Sequence, residues 1–245
     1  MDPLFRVETL SCTEYPNQLA YLAMHQDYSE HFVYDELGRL QTLLDDERSC
    51  GDKIVRHLLL GGKGHFGPLE HPSITLACGF FPHSVMQQAR THRVGISFDA
   101  QSMRYTGKRI SESDLRDSDM EEIFYIRPPG HYYDRSGKSY FFTEEERTRY
   151  RETLRNSAWA YKDAILAGHS EEQARGLLGF DFRQHFVVSF NMRSLMHFLD
   201  LRAKADAQLE IRQLCELMFQ CFLAWSPEVA EWYKETRWSK ARLSP

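Results

Sequence analysis

The chain has 245 residues, 42% of them hydrophobic and 27% charged, with a formal net charge of -5. This is ordinary globular composition and excludes a disordered or collagen-like chain, while 35 acidic against 30 basic residues argue against a protein that coats nucleic acid by bulk charge. The longest apolar runs, such as Cys221 to Trp225, are too short to span a bilayer, and Met1-Asp2-Pro3-Leu4-Phe5-Arg6 lacks the basic start and apolar run of a signal peptide, so a soluble, cytoplasmic protein is expected.

In chain order, residues 1–12 read as a strand. Residues 35–48 and 51–60 read as helices, the second stopped by Gly61-Gly62. Segment 72–81 is rich in β-branched and aromatic residues and reads as a buried strand. Pro82 then suits the first turn of a helix through Met86, Ala89 and His92. The stretch 106–140, with its Gly, Ser, Asp and paired Pro128-Pro129, reads as irregular with a short strand at 123–126. Thr143-Glu144-Glu145-Glu146 is a capping-box start. The helix that follows places Tyr150, Leu154, Ala158, Tyr161 and Ile165 on one face and stops at Gly168. Ser170-Glu171-Glu172-Gln173 opens a short helix containing Arg175. A strand at 186–190 precedes helices at 192–202 and 207–224, the last with Ile211, Leu214, Cys215, Met218, Phe222 and Trp225 on a core-type face. The expected fold class is α+β, with a central, mainly antiparallel sheet flanked by helices. No linker divides the chain, so residues 1–245 read as one domain.

An acidic protein can still bind an anion if a few arginines are focused on one site. Between Arg90 and Tyr105 lie Arg90, Arg93, Arg104, His92, Ser97 and Ser102, with Asp99 the sole acid. Forked guanidinium donors and hydroxyls with little competing carboxylate suit a phosphate or pyrophosphate. A solvated basic loop explains the composition equally well. Gly95 lets the chain turn sharply there. A second group comprises Asn191, Arg193, His197, Asp200, Arg202, Gln208 and Glu210. Arg193, His197 and Asp200 follow i, i+4, i+7 on one helix face; an exposed polar stripe is the bland alternative, and His197 alone reads as a packing residue. Glu70-His71-Pro72-Ser73 marks a loop-to-strand junction.

His65 and His71 are too isolated for zinc, so no metal is expected. The five cysteines contain no Cys-x-x-Cys pair and read as buried small hydrophobes. Gly61-Gly62-Lys63-Gly64 lacks the flanks of a phosphate-binding loop, and no dinucleotide fingerprint or nucleophile elbow occurs. A nucleotide or single-stranded nucleic-acid binding module without catalysis, stacking bases on aromatics of 90–105, is the alternative to an enzyme.

Thr91-His92-Arg93, followed after eight residues by Ser102-Met103-Arg104-Tyr105, resembles the Arg-His-Arg, seven residues, Ser-x-Arg-Tyr signature of the flavin-dependent thymidylate synthase family. The run from Asn191 to Arg202, continuing through Ala207-Gln208-Leu209-Glu210-Ile211, resembles its second block, and His71-Pro72-Ser73 its His-x-Ser/Thr element. Arg175 falls where the family places a lone arginine. The resemblance implies synthesis of dTMP from dUMP, with methylenetetrahydrofolate as one-carbon donor and NADPH reducing a bound FAD. It also implies homotetramers whose active sites draw on several subunits, with no DNA or membrane partner. Carried over by position, Ser73, His92, Arg93, Asn191, Arg193 and His197 would contact FAD. Gln88, Arg90, Thr91, Gln101, Ser102, Arg104, Arg175 and Arg202 would contact dUMP, and Arg202 would polarise the uracil. This chain has one extra residue in the signature, and Thr91 replaces its first arginine, so both Thr91 and neighbouring Arg90 are candidates for that contact. Ala100 stands where the family often has glutamate, beside Asp99, and His197 replaces a commoner asparagine.

Overall fold

The computed structural model of the chain describes residues 1–44, 46–134 and 136–240. Among the described residues six strands form: β1 (Arg6–Cys12), β2 (Ser73–Pro82), β3 (Ile96–Ala100), β4 (Gly130–Tyr133), β5 (Ser139–Phe142) and β6 (Arg183–Asn191). Four of them make a sheet in the order β1-β2-β6-β3, and β4 pairs with β5 in an antiparallel ribbon. Helices accompany both, so the architecture mixes helix and sheet as expected. The chain divides into two compact units, one of Met1–Cys78, Arg90–Asp99 and the residues from Val187 onward, the other of Gly79–Ala89 and Ala100–Phe186.

In the first unit, alternation on β2 and β6 buries Ile74, Leu76, Val188 and Phe190, while Thr75 and Ser189 bond to each other by their hydroxyls at 2.9 Å. The helices Met192–Arg202 and Leu209–Trp225 form where expected, and the second buries the whole predicted face. Asp200 departs from the expected polar stripe. It is 2% exposed, takes a hydrogen bond from Tyr233 at 2.9 Å and pairs with Arg237 at 2.7 Å. Burial raises its carboxyl above the usual range despite the arginine, so it anchors the helix Pro227–Thr236. That helix and the helix Pro16–Tyr28 lie outside the elements expected from sequence.

The second unit is built around the helix Glu144–Leu166, whose capping box joins Thr143 and Glu146 as expected and whose exit uses Gly168 at φ 85°. Leu154, Ala158 and Tyr161 pack with Met103, Ile110, Met120 and Phe124. Arg183 is fully buried and donates to the carbonyls of Glu121 and Phe80, each at 2.8 Å.

Several boundaries differ from expectation for identifiable reasons. The 35–48 region contains a helix Leu37–Leu44 and a new start at Glu47, because the Asp46 side chain accepts from the Arg48 N–H and caps it. The second helix runs Glu47–Ile54 and continues as a π turn Val55–Leu59. Pro82 ends β2, and the helix after it covers only His83–Ala89, leaving His92 outside. Ile123 closes a helix Asp117–Ile123, and Phe124 makes only a single bridge to Phe182. The expected strand at 123–126 is reduced to that bridge, its first residue being taken up by the helix. The β4–β5 ribbon arises within the stretch read as irregular: the Asp134 carboxylate accepts from the N–H groups of Ser136 and Lys138, and Gly137 takes φ 82°. Cys50, Cys78 and Cys215 are buried as expected, but Cys12 is exposed and Cys221 half-buried. Among the described residues no helix is long and apolar enough to cross a membrane.

Candidate active site

The residues expected to contact FAD all lie in the first unit, with Arg90, Thr91 and Arg202. Gln88, Gln101, Ser102, Arg104 and Arg175 lie in the second. In the first unit, the helix Met192–Arg202 organises the set. Asn191 caps it, its side chain accepting from the Ser194 N–H at 2.8 Å. Ser194 in turn donates its hydroxyl to the Val94 carbonyl at 2.9 Å, and the Asn191 N–H donates to the Gly95 carbonyl at 3.3 Å. The loop bearing Arg93 is thereby stitched to the helix's first turn. Ser194 was not singled out in the sequence, although Asn191-Met192-Arg193-Ser194 has the cap spacing that signals it.

Arg93 is exposed and makes no ion pair among the described residues, and the two residues after it are bonded to the N-terminal turn of this helix. These are the donors a pyrophosphate needs, so the residues present fit the phosphate end of FAD. Arg193, on the first turn, bonds Glu70 at 2.5 Å and lies 5.9 Å from the Phe66 ring centre. Ser73 opens β2 with an exposed side chain, its N–H donating to the Thr13 hydroxyl at 3.0 Å.

At the far end of the same helix, Arg202 donates from Nε to His92 Nε2 at 2.8 Å and from Nη2 to Thr91 Oγ1 at 2.9 Å. His197, one turn earlier, meets the His92 ring edge-on at 5.5 Å. Burial, with the positive charge of Arg202, pushes His92 down to about 4. It is therefore neutral at physiological pH, which lets Nε2 act as acceptor and places its proton on Nδ1. Burial also lowers Arg202 from its ordinary value, yet a guanidinium stays cationic in proteins.

The depressed His92 value fixes a pH dependence. Between about 4 and the ordinary 6.5, the unfolded chain takes up a proton that the folded chain does not, so this contribution is complete above 6.5 and is lost as the pH falls towards 4. Denaturant titrations at several pH values should show the native protein losing about 3 kcal/mol relative to His92→Gln across that window. Parallel curves for the two proteins would refute the assignment.

In the second unit, Ser102 and Arg104 lie in a turn in which the Ser102 carbonyl accepts from the Tyr105 N–H at 3.0 Å and the Thr106 hydroxyl at 3.1 Å. Arg104 pairs with Glu172 at 2.7 Å, on the short helix Glu171–Ala174 that immediately precedes Arg175. Arg90 and Arg175 are exposed and make no ion pair among the described residues. Gln101 turns its side-chain oxygen back to the His185 N–H at 3.4 Å. Asp99 and Ala100 end β3 with exposed side chains.

The sequence profile of the family described as thymidylate synthase complementing protein matches residues 8–228. A flavin-dependent thymidylate synthase of Haloarcula marismortui is 32% identical over 98% of this chain and 99% of its own length. The chain belongs to the flavin-dependent thymidylate synthase family. The Halobacterium salinarum member is likewise 32% identical, over 98% of this chain and 100% of its own. Among solved folds, a UMP/dUMP methylase from Streptomyces cacaoi with bound 5-Br dUMP aligns with a TM-score of 0.72 at 21% identity, over 98% of this chain and 97% of that one. A thymidylate synthase X from Helicobacter pylori with FAD and dUMP gives 0.65 at 19%, over 94% and 98%. The family places the arginine-rich segments in an enzyme, which decides against the non-catalytic binding module.

Proposed function

We propose that this enzyme makes dTMP from dUMP as a single-domain protomer of a cytoplasmic homotetramer, taking its one-carbon unit from methylenetetrahydrofolate and its reducing equivalents from NADPH through bound FAD. The observation that carries this reading is the Arg202 guanidinium held by neutral His92 and Thr91 on the helix whose other end is organised by Asn191, Arg193 and Ser194. One helix thus joins the flavin-type residues to a fixed cation.

Ser73, His92, Arg93, Asn191, Arg193 and His197 would hold FAD, which when bound supplies the hydride chemistry. Gln88, Ser102, Arg104 and Arg175 would bind dUMP, the arginines taking its phosphate. The Thr91 hydroxyl already engages Arg202, so Arg90 would supply the phosphate contact of the first signature position. Arg202 would face the uracil carbonyl and stabilise negative charge as the ring carbon becomes nucleophilic, an oxyanion-type role. The buried thiols take no part: burial raises Cys50 to about 11 and lifts Cys78 and Cys215 well above their ordinary value, which keeps them protonated. Ser102 acts in binding, not attack.

The purified protein should carry a flavin spectrum that NADPH bleaches, and should convert dUMP and methylenetetrahydrofolate to dTMP. UMP assayed in parallel tests whether the enzyme also methylates the ribonucleotide. Protein that takes up no FAD when supplied with it would overturn the proposal. Arg193→Ala should weaken FAD retention about tenfold, the loss of one charge-assisted contact, measured by flavin release on dialysis; unchanged retention would remove Arg193 from the flavin set.

A further inference from the structure

We propose that His83, through Gln184, is a positioning residue for the dUMP-binding segments, an inference that rests on the function proposed above. His83 opens the helix His83–Ala89, which carries Gln88. Its Nδ1 lies 2.6 Å from Gln184 Oε1 and its Nε2 2.6 Å from Gln87 Nε2. The Gln184 amide nitrogen donates to the Gln101 carbonyl at 2.7 Å. Gln101 is clamped from its other side, its N–H donating to the His185 carbonyl at 2.9 Å and its Oε1 accepting from the His185 N–H at 3.4 Å. The next residue is Ser102.

The direction of the central bond is forced. Because the Gln184 nitrogen faces a carbonyl, its oxygen must face His83, so His83 donates from Nδ1. Gln184 is only 5% exposed, so water cannot readily substitute for either of its partners. The imidazole is held flat on Phe182, with centroids 4.8 Å apart and planes 17° apart, and the His83 N–H donates to the Phe182 carbonyl at 2.9 Å. A rigid chain of side chains therefore links the helix bearing Gln88 to the turn bearing Ser102 and Arg104, all within the second unit. Gln101, the residue before Ser102 and itself expected to touch dUMP, is the last link. Groups that grip substrate need such support, because a shift of about 1 Å in a binding group costs on the order of 100-fold.

The test compares holoenzyme carrying His83→Phe, Gln184→Leu or His83→Asn, recording KM for dUMP, kcat and flavin content. His83→Phe and Gln184→Leu should raise KM for dUMP about tenfold, with kcat within about twofold of the parent and flavin content unchanged. His83→Asn, whose amide can place a donor where Nδ1 stands, should recover most of the affinity. Unchanged KM in both disrupting variants overturns the proposal. So does a parallel loss of flavin and dUMP binding, the mark of a general structural role. If His83→Phe does not fold, Gln184→Leu with His83→Asn decides. If the parent enzyme itself neither binds nor turns over dUMP, the functional reading falls first and this inference with it.

Discussion

Replacing Arg202 by alanine is expected to lower dTMP formation about 10²–10³-fold while the protein keeps its flavin. The guanidinium ends the helix Met192–Arg202, and two of its nitrogens are fixed by His92 and Thr91. Such preorganisation lets a charge stabilise the uracil anion without reorganising during the reaction. Lysine should restore only part of the rate, because a point charge cannot engage both partners and keep a planar fork towards a carbonyl. Loss of the arginine also leaves the buried His92 Nε2 without this donor, at about 1–3 kcal/mol, so stability must be measured beside turnover. Flavin absorbance per protein is the deciding readout. If flavin is lost in proportion to activity, Arg202 supports the cofactor and its assignment to the uracil is wrong.

Local signals in the sequence located several helices of the fold. The Thr143 capping box, the Gly168 stop and the apolar face from Ile211 to Trp225 depend on neighbours within a few turns, and all three formed as read. The Asp46 cap and the Asp134 turn of the β4–β5 ribbon were equally local, and a stricter reading of side-chain acceptors would have found them. Pairings set by packing were not legible. Arg202 and His92 stand 110 residues apart, and no spacing rule connects them. The stripe Arg193, His197, Asp200 has helical periodicity, yet its last member is taken up by Tyr233 and Arg237. A face can thus be polar because it binds another helix rather than a ligand. His83 and Gln184 passed unremarked because each is ordinary alone, and their meaning lies in a chain of bond directions that only the fold creates.

Gly95→Ala is expected to cost about 3 kcal/mol of stability and to weaken flavin retention at least tenfold. Gly95 sits at φ 66°, and a Cβ there would lie 2.2 Å from Ser194 Oγ and 2.6 Å from Asn191 Nδ2. Neither side chain can yield without loss, because Asn191 caps the helix and Ser194 holds the Val94 carbonyl. Displacing the cap costs about 1 kcal/mol, losing the Val94 bond about as much, and a non-glycine residue in left-handed conformation about 1–2 kcal/mol. If the loop moves instead, Arg93 is carried with Val94 and Gly95 away from their bonds to the helix, and the cluster proposed for the FAD pyrophosphate disperses. Either route couples stability to cofactor binding, which most loop substitutions would not do. Ser194→Ala added to Gly95→Ala removes the nearest clash and should recover part of the stability, while the contact to Asn191 keeps flavin affinity low. Denaturant midpoints and flavin release rates for both variants separate the two effects. A Gly95→Ala protein within about 0.5 kcal/mol of the parent, with its flavin intact, would show that this close approach does not organise the site.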